Sequence, residues 1–173
     1  MQKEKRLLKQ VAIITIEPYL AEYISEKYGT SPKNGGVKIP YTSDLHFCIW
    51  EHMSKCHANQ TPSIDGNLRI SLPYRKFIGD GSPYKDPAYY NHLSPAAIKE
   101  IEAHIRRMFN FELHRVLLEN EEFGRKKRNI EIVHDFIHAY NLKSISSDAL
   151  LKNFYRFRNK LRPKQTRKYK KAT

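Results

Sequence analysis

Short apolar runs alternate with polar stretches along this chain, and the period of the apolar positions changes from two to nearly four on the way. Residues 11–16, VAIITI, are β-branched and of strand length, and Glu17 and Pro18 bound them. Tyr19, Leu20, Tyr23, Ile24 and Tyr28 then recur at helical spacing, with Gly29 suited to a C-terminal cap. After the loop TSPKNGG, residues 37–41 predict a second strand. Ser43 or Asp44 can cap a helix running to about Cys56, and the turn-rich HANQTPSIDG leads to a third strand over 68–72. The front of the chain therefore predicts a β-α-β-α-β order, a small mixed sheet with helices.

Residues 74–93, YRKFIGDGSPYKDPAYYNHL, show no clean period, and so long a connection is commonly functional or mobile. Tyr74, Arg75, Lys76, Phe77, Tyr84, Lys85, Tyr89 and Tyr90 interleave aromatics with cations, which suits either base stacking or a packed surface loop. Ser94-Pro95 then opens a helix. Ile98, Ile101, Ile105, Met108, Phe109, Leu113, Val116 and Leu117 carry it to a stop near Phe123-Gly124. That is about 29 residues, or about 43 Å. Phe111 and Leu118 fall on the opposite side, so this helix is expected to touch neighbours on two faces.

Beyond RKKR at 125–128, the residues Ile130, Val133, Phe136, Ile137 and Tyr140 give the stripe of a short helix, with Asn141 as a left-handed cap. Ser146 or Ser147 can cap a last helix to Leu161, which Arg162-Pro163 ends. On a helical wheel Leu150, Phe154, Phe157 and Leu161 cluster within about 60°. Lys152, Asn153, Arg156, Asn159 and Lys160 share the opposite face.

Charge sharpens this picture. The net charge is +13, and residues 125–173 hold 15 of the 31 basic residues but only 3 of the 18 acidic ones, Glu131, Asp135 and Asp148. The first 124 residues are left with 16 basic and 15 acidic residues, a net of +1. A near-neutral front and a cationic back point to an anionic partner for the back. Arg and Asn can pair with guanine and adenine edges, while Lys neutralises phosphate.

In its general shape, two short helices with a turn and a cationic second helix, the C-terminal stretch of about 45 residues resembles helix-turn-helix proteins of bacterial phages and mobile elements. The turn between Tyr140 and Ser147 is about three residues longer than in the tightest form of that motif, and Asn141 stands in place of its glycine. The resemblance brings no catalytic residue with it.

The expected fold class is α+β. Its parts are residues 1–93 as an α/β front that can dimerise, 94–124 as a connecting helix, 125–162 as a basic helix-turn-helix-like module and 163–173 as a basic disordered arm. The expected function is DNA binding, sequence-specific or architectural, in regulation for a mobile element. Lys152, Asn153, Arg156, Asn159 and Lys160 are expected at the groove. Arg125, Lys126, Lys127 and Arg128, with Lys164, Arg167, Lys168, Lys170 and Lys171, are expected on phosphates. An RNA- or ribosome-associated protein and a nuclease or integrase-like enzyme are the alternatives. Phe47 and Trp50, taken as projecting from the second helix, together with the two-sided long helix, suggest a homodimer.

The remaining chemistry is sparse. HFCIWEHMSKCH gathers His46, Cys48, His52, Cys56 and His57, but zinc draws its ligands from two elements, and Leu45, Ile49 and Met53 share that face. Both cysteines therefore read as core residues, and neither a metal nor another cofactor is expected. No P-loop, GxGxxG, HExxH or GxSxG occurs. No spacing selects Asp44, Glu51, Asp65, Asp80 or Asp86 as a two-metal set. His134 and His138, four apart, read as boundary residues. No apolar run has the length of a secretory or membrane-spanning segment, so a cytoplasmic, nucleoid-associated protein without a membrane partner is expected.

Overall fold

The computed structural model describes residues 10–56, 65–74 and 84–161. Among them the protein is α+β, with five helices and a two-stranded antiparallel sheet. Strand β1, Val11–Ile14, pairs with β2, Leu68–Ser71, so that Ala12, Ile14, Leu68 and Ile70 turn inward at period two. Asn67 lengthens the ladder: its side chain accepts from the Ile16 N–H (3.0 Å) and donates to the Ile16 carbonyl (2.7 Å).

The third strand expected at 37–41 is reduced to Val37. Its N–H donates to the Arg69 carbonyl (2.8 Å) and its carbonyl accepts from Ser71 N–H (3.0 Å), after which the chain leaves β2. Pro40 has no N–H to continue a ladder. The β-α-β-α-β sheet is thus corrected, among the described residues, to an antiparallel pair with one bridging residue, its two strands joined through both front helices. Gly36 permits that bridge, because a Cβ there would lie 2.8 Å from the Ser71 nitrogen.

Helix α1, Pro18–Tyr28, is closed by Gly29 at φ 66°. Helix α2, Asp44–His52, starts at Ser43, whose hydroxyl accepts from Leu45 N–H (3.2 Å). It stops four residues short of Cys56, because the Ser54 backbone exchanges hydrogen bonds with His92 (3.0 and 3.2 Å). Leu45, Ile49 and Met53 are buried as expected, but the buried face is wider than expected and takes in Trp50. Leu45, His46, Ile49 and Trp50 point inward, while Cys48, His52 and Cys56 are half-buried and Phe47 is exposed. The indole has the largest apolar area on this helix, so it takes the core and displaces the cysteines to the edge. Lys85 lies 5.1 Å from the Trp50 ring and donates to the carbonyls of Trp50 and Glu51.

Helix α3, Pro95–Glu122, runs through the whole molecule from its Ser94 cap. Its buried residues are Ala97, Ile101, Ile105, Phe109, Leu113 and Leu117, each four after the last. At 100° per residue a step of four overshoots one turn by about 40°, so five steps carry the buried face about 200° round the helix. One end therefore packs on α2 and the front, the other on α4, Asn129–Ala139, and α5, Ser147–Leu161. At the crossover Phe109 meets Tyr19, Tyr23 and Phe136 edge-on at 5.2, 5.2 and 5.5 Å. Beside it, the Glu112 carboxylate accepts from Lys27 and from the Tyr140 hydroxyl. Burial alone would raise the Glu112 carboxyl, but those hydrogen bonds and the Lys27 charge hold it below its ordinary value. Burial and Glu112 together push the Tyr140 phenol up to about 12.

Among the described residues no helix is long and apolar enough to cross a membrane, and no three His, Cys, Asp or Glu side chains are grouped as a metal-ion set. His57 and Asp80 lie outside the described residues.

The burial of α2 sets an ordering of stabilities. Trp50→Ala is expected to cost about 3–5 kcal/mol, and Cys48→Ala with Cys56→Ala below about 1 kcal/mol, by urea denaturation. Equal losses would mean that the cysteines face the core after all. Asn67→Ala, which removes both hydrogen bonds to Ile16, is expected to cost about 1–3 kcal/mol in the same assay.

Candidate nucleic-acid interface

The last two helices are held in place from three sides. Asn141 takes φ 47° at the end of α4, and the Ser146 hydroxyl accepts from Ala149 N–H (3.3 Å) at the start of α5. Between them Leu142 is buried. The Glu22 carboxylate of α1 accepts from the N–H groups of Lys143 (2.8 Å) and Ser144 (3.2 Å) and from the Ser144 hydroxyl. The turn is therefore fastened to the front of the molecule, which fixes its longer course. Leu150 and Phe154 anchor α5 inside.

Of the expected stripe Phe157 is half-buried and Leu161 is exposed; with Leu150 and Phe154 inside, Lys152, Arg156, Asn159 and Lys160 are exposed on the outer face of α5. Lys152, Arg156 and Lys160 follow at steps of four, about 6 Å apart along the axis. Among the described residues none of the three has an acidic partner within 4.0 Å. Asn153 is placed differently from its neighbours. It is half-buried, its Oδ1 accepts from His114 Nε2 (2.6 Å) and its Nδ2 donates to Asn110 Oδ1 (3.1 Å). The amide is spent on the α3–α5 junction. Burial lowers the His114 pKa despite the hydrogen bond to Asn153, and the ring stacks flat on Phe157 at 4.0 Å.

The connection between α3 and α4 is a braced loop. Gly124 (φ 87°) and Arg125 (φ 52°) reverse the chain, and the Asn120 amide exchanges hydrogen bonds with the Lys127 backbone (2.8 and 3.3 Å). Arg125, Lys126, Lys127 and Arg128 are all exposed. Three of them have acidic neighbours: Arg125 has Glu121 (3.9 Å), Lys127 has Asp135 (2.7 Å), and Arg128 has Glu131 (3.0 Å) in a reciprocal cap of α4. Lys126 has none within 4.0 Å among the described residues.

These two cationic stretches meet. A cleft of about 400 Å³ has Arg125, Lys127 and Arg128 on one wall and Leu151, Tyr155 and Arg158 of α5 on the other. At its floor the Glu121 carboxylate accepts from Arg158 (2.8 Å) and Asn129 (3.1 Å). Burial would raise this carboxyl, yet the Asn129 and Arg158 hydrogen bonds and the charges of Arg158 and Arg125 hold it below its ordinary value. Arg158 also lies 4.8 Å from the Tyr155 ring. Arg158, Tyr155 and Glu121 were not among the residues expected at a site. The i,i+4 spacing of Glu121 and Arg125 was a signal for one of them, but no local pattern joins Glu121 to Arg158, 37 residues away.

Lys164, Arg167, Lys168, Lys170 and Lys171 lie outside the described residues, as do Arg75, Lys76 and Phe77. Of the tyrosine-rich stretch, Tyr74 and Tyr84 meet edge-on at 6.1 Å, remote in sequence from the cationic cleft.

Glu121→Gln keeps the shape of the cleft floor and removes its charge, which is expected to cost about 2 kcal/mol at neutral pH. Because the folded-state pKa of Glu121 is depressed, its contribution is complete above the ordinary carboxylate range and is lost as pH falls through the depressed value. The stability gap between wild type and variant should therefore close on acidification; a gap that is constant from neutral pH to pH 3 contradicts the assignment.

Compared with known proteins, the chain matches no family model, no curated protein and no solved structure.

Proposed function

We propose that the outer face of α5 and the adjoining cleft bind a nucleic-acid backbone, with duplex DNA as the partner. One observation carries the reading: an exposed row of cations without acidic partners among the described residues, Lys152, Arg156 and Lys160, runs beside a cleft whose other wall is cationic. A row of this kind on a short helix is dimensioned for a groove, and the loop cations for the flanking phosphates. Arg156 and Asn159 are the side chains with base-pairing chemistry that remain available, since Asn153 serves to position α5 through His114 and Asn110. The cations after Pro163 add sequence-independent affinity. The biological role that fits is regulation or DNA architecture for a mobile element, in line with the resemblance of the last 45 or so residues to helix-turn-helix proteins.

Duplex DNA, single strands and structured RNA should be compared in one binding assay across a salt series. Wild type should prefer duplex DNA and lose affinity steeply with salt. The triple change Lys152→Ala, Arg156→Ala and Lys160→Ala should flatten the slope by about 0.9 per phosphate contact removed. Arg156→Ala with Asn159→Ala should cost about 1–3 kcal/mol per lost bidentate base contact, and only on a preferred sequence. Truncation after Pro163 should weaken all sequences alike. Normal binding by the triple variant alongside loss in the truncated chain would remove α5 from the interface. Tighter binding to structured RNA than to duplex DNA would replace the partner.

A further inference from the structure

The cationic face occupies one side of α5; on the other flank, α3 carries a strip in which exposed Phe111 and half-buried His114 and Leu118 lie between charged ends. Arg107, Phe111, His114, Leu118 and Glu122 recur at steps of four, three, four and four along α3. They fall within about 80° of one another on the wheel, away from the buried stripe. Phe111 is 67% exposed, a rare condition for phenylalanine in the middle of a well-packed helix. The strip forms one wall of a groove of about 540 Å³, and Phe157 of α5, stacked on His114, forms the other. This apolar, aromatic groove is continuous between two helices and is lined by charges of both signs.

Arg115 and Glu119 pair with each other along α3 (3.8 Å), and the charges at the two ends of the strip point to the occupant. A cation, Arg107, stands at one end of the strip and an anion, Glu122, at the other, about 22 Å away at 1.5 Å per residue. Phe111 and Leu118 lie symmetrically between them, because 107 pairs with 122 and 111 with 118 about the same midpoint. Such a pattern is its own complement when reversed. We infer that the strip docks on the same strip of a second copy of this chain, with the two α3 helices antiparallel about a two-fold axis passing between His114 and Arg115. Phe111 of each copy then meets Leu118 of the other, and Arg107 of each meets Glu122 of the other, so every favourable contact is made twice. A parallel pairing would instead set Arg107 against Arg107 and Glu122 against Glu122.

Of the two features from which a homodimer was expected, Trp50 belongs to the core, which leaves the second face of the long helix. The new seam uses none of Lys152, Arg156 and Lys160, and it does not depend on the nucleic-acid reading. The two halves of the proposal also fail separately: assembly is measured without any nucleic acid present.

Sedimentation equilibrium on the full chain tests it. Wild type should approach twice its 20.4 kDa mass at tens of micromolar. Phe111→Glu, at an exposed position, should keep the circular dichroism spectrum and melting temperature but weaken association at least about tenfold. Arg107→Glu and Glu122→Arg should each weaken association, and the two together should restore it, because in an antiparallel pair the exchanged charges face each other again. A wild-type mass of 20.4 kDa throughout the concentration range overturns the inference. So does normal dimerisation of Phe111→Glu, and a double variant no better than the single ones overturns the antiparallel register.

Discussion

The rest of the molecule depends on the drift of one apolar row. Six buried positions spaced four apart on α3 cannot keep to one side of a helix with 3.6 residues per turn. The row therefore winds from the front of the molecule to the back, and one helix serves two sets of neighbours. Phe109 sits where the sides change, and its ring contacts with Tyr19, Tyr23 and Phe136 join α1, α3 and α4 in one buried cluster. Loss of that junction would separate the elements that carry cationic side chains from those that hold them in position.

Much of this architecture was legible in the sequence because it is local. Ser94-Pro95, Ser43 and Asn141 mark ends that depend on a few adjacent atoms, and each appears where its chemistry puts it. What failed to read locally was decided at a distance. The run at 37–41 has the composition of a strand, yet only Val37 finds partners on β2 before Pro40. On helix α2 the expected stripe of Leu45, Ile49 and Met53 is buried, and Trp50, expected to project outward, joins it because of what packs over it. Asn153 sits on the margin of the α5 wheel, where Phe157 and the outward residues meet, and His114 from another helix draws it inward.

The candidate site divides along the same line. Exposure of Lys152, Arg156, Asn159 and Lys160 follows from amphipathicity alone. The cleft beside them does not, because Arg158 and Glu121 come from helices distant in sequence and meet only when α5 closes on α3. Most of the loop cations at 125–128 are already neutralised in part by Glu121, Glu131 and Asp135, which tempers the field of a segment that reads as purely basic. Among the described residues Lys152, Arg156 and Lys160 have no such neighbour, whereas Arg158 of the same helix pairs with Glu121, so a few exposed side chains concentrate the attraction that the sequence spreads over the whole C-terminal third.

The Glu22 clamp has a consequence for how the chain reaches this structure. Its carboxylate closes a loop of 121 residues onto Lys143 and Ser144. Contacts of such span come late on a folding route, since chain entropy opposes them until most local structure exists. During synthesis Glu22 emerges long before its partners do, and the front of the chain must wait for the turn at 143–144 before this clasp can shut. The cationic helix would therefore take its final bearing among the last events of folding, only after the helices it leans on are already in place.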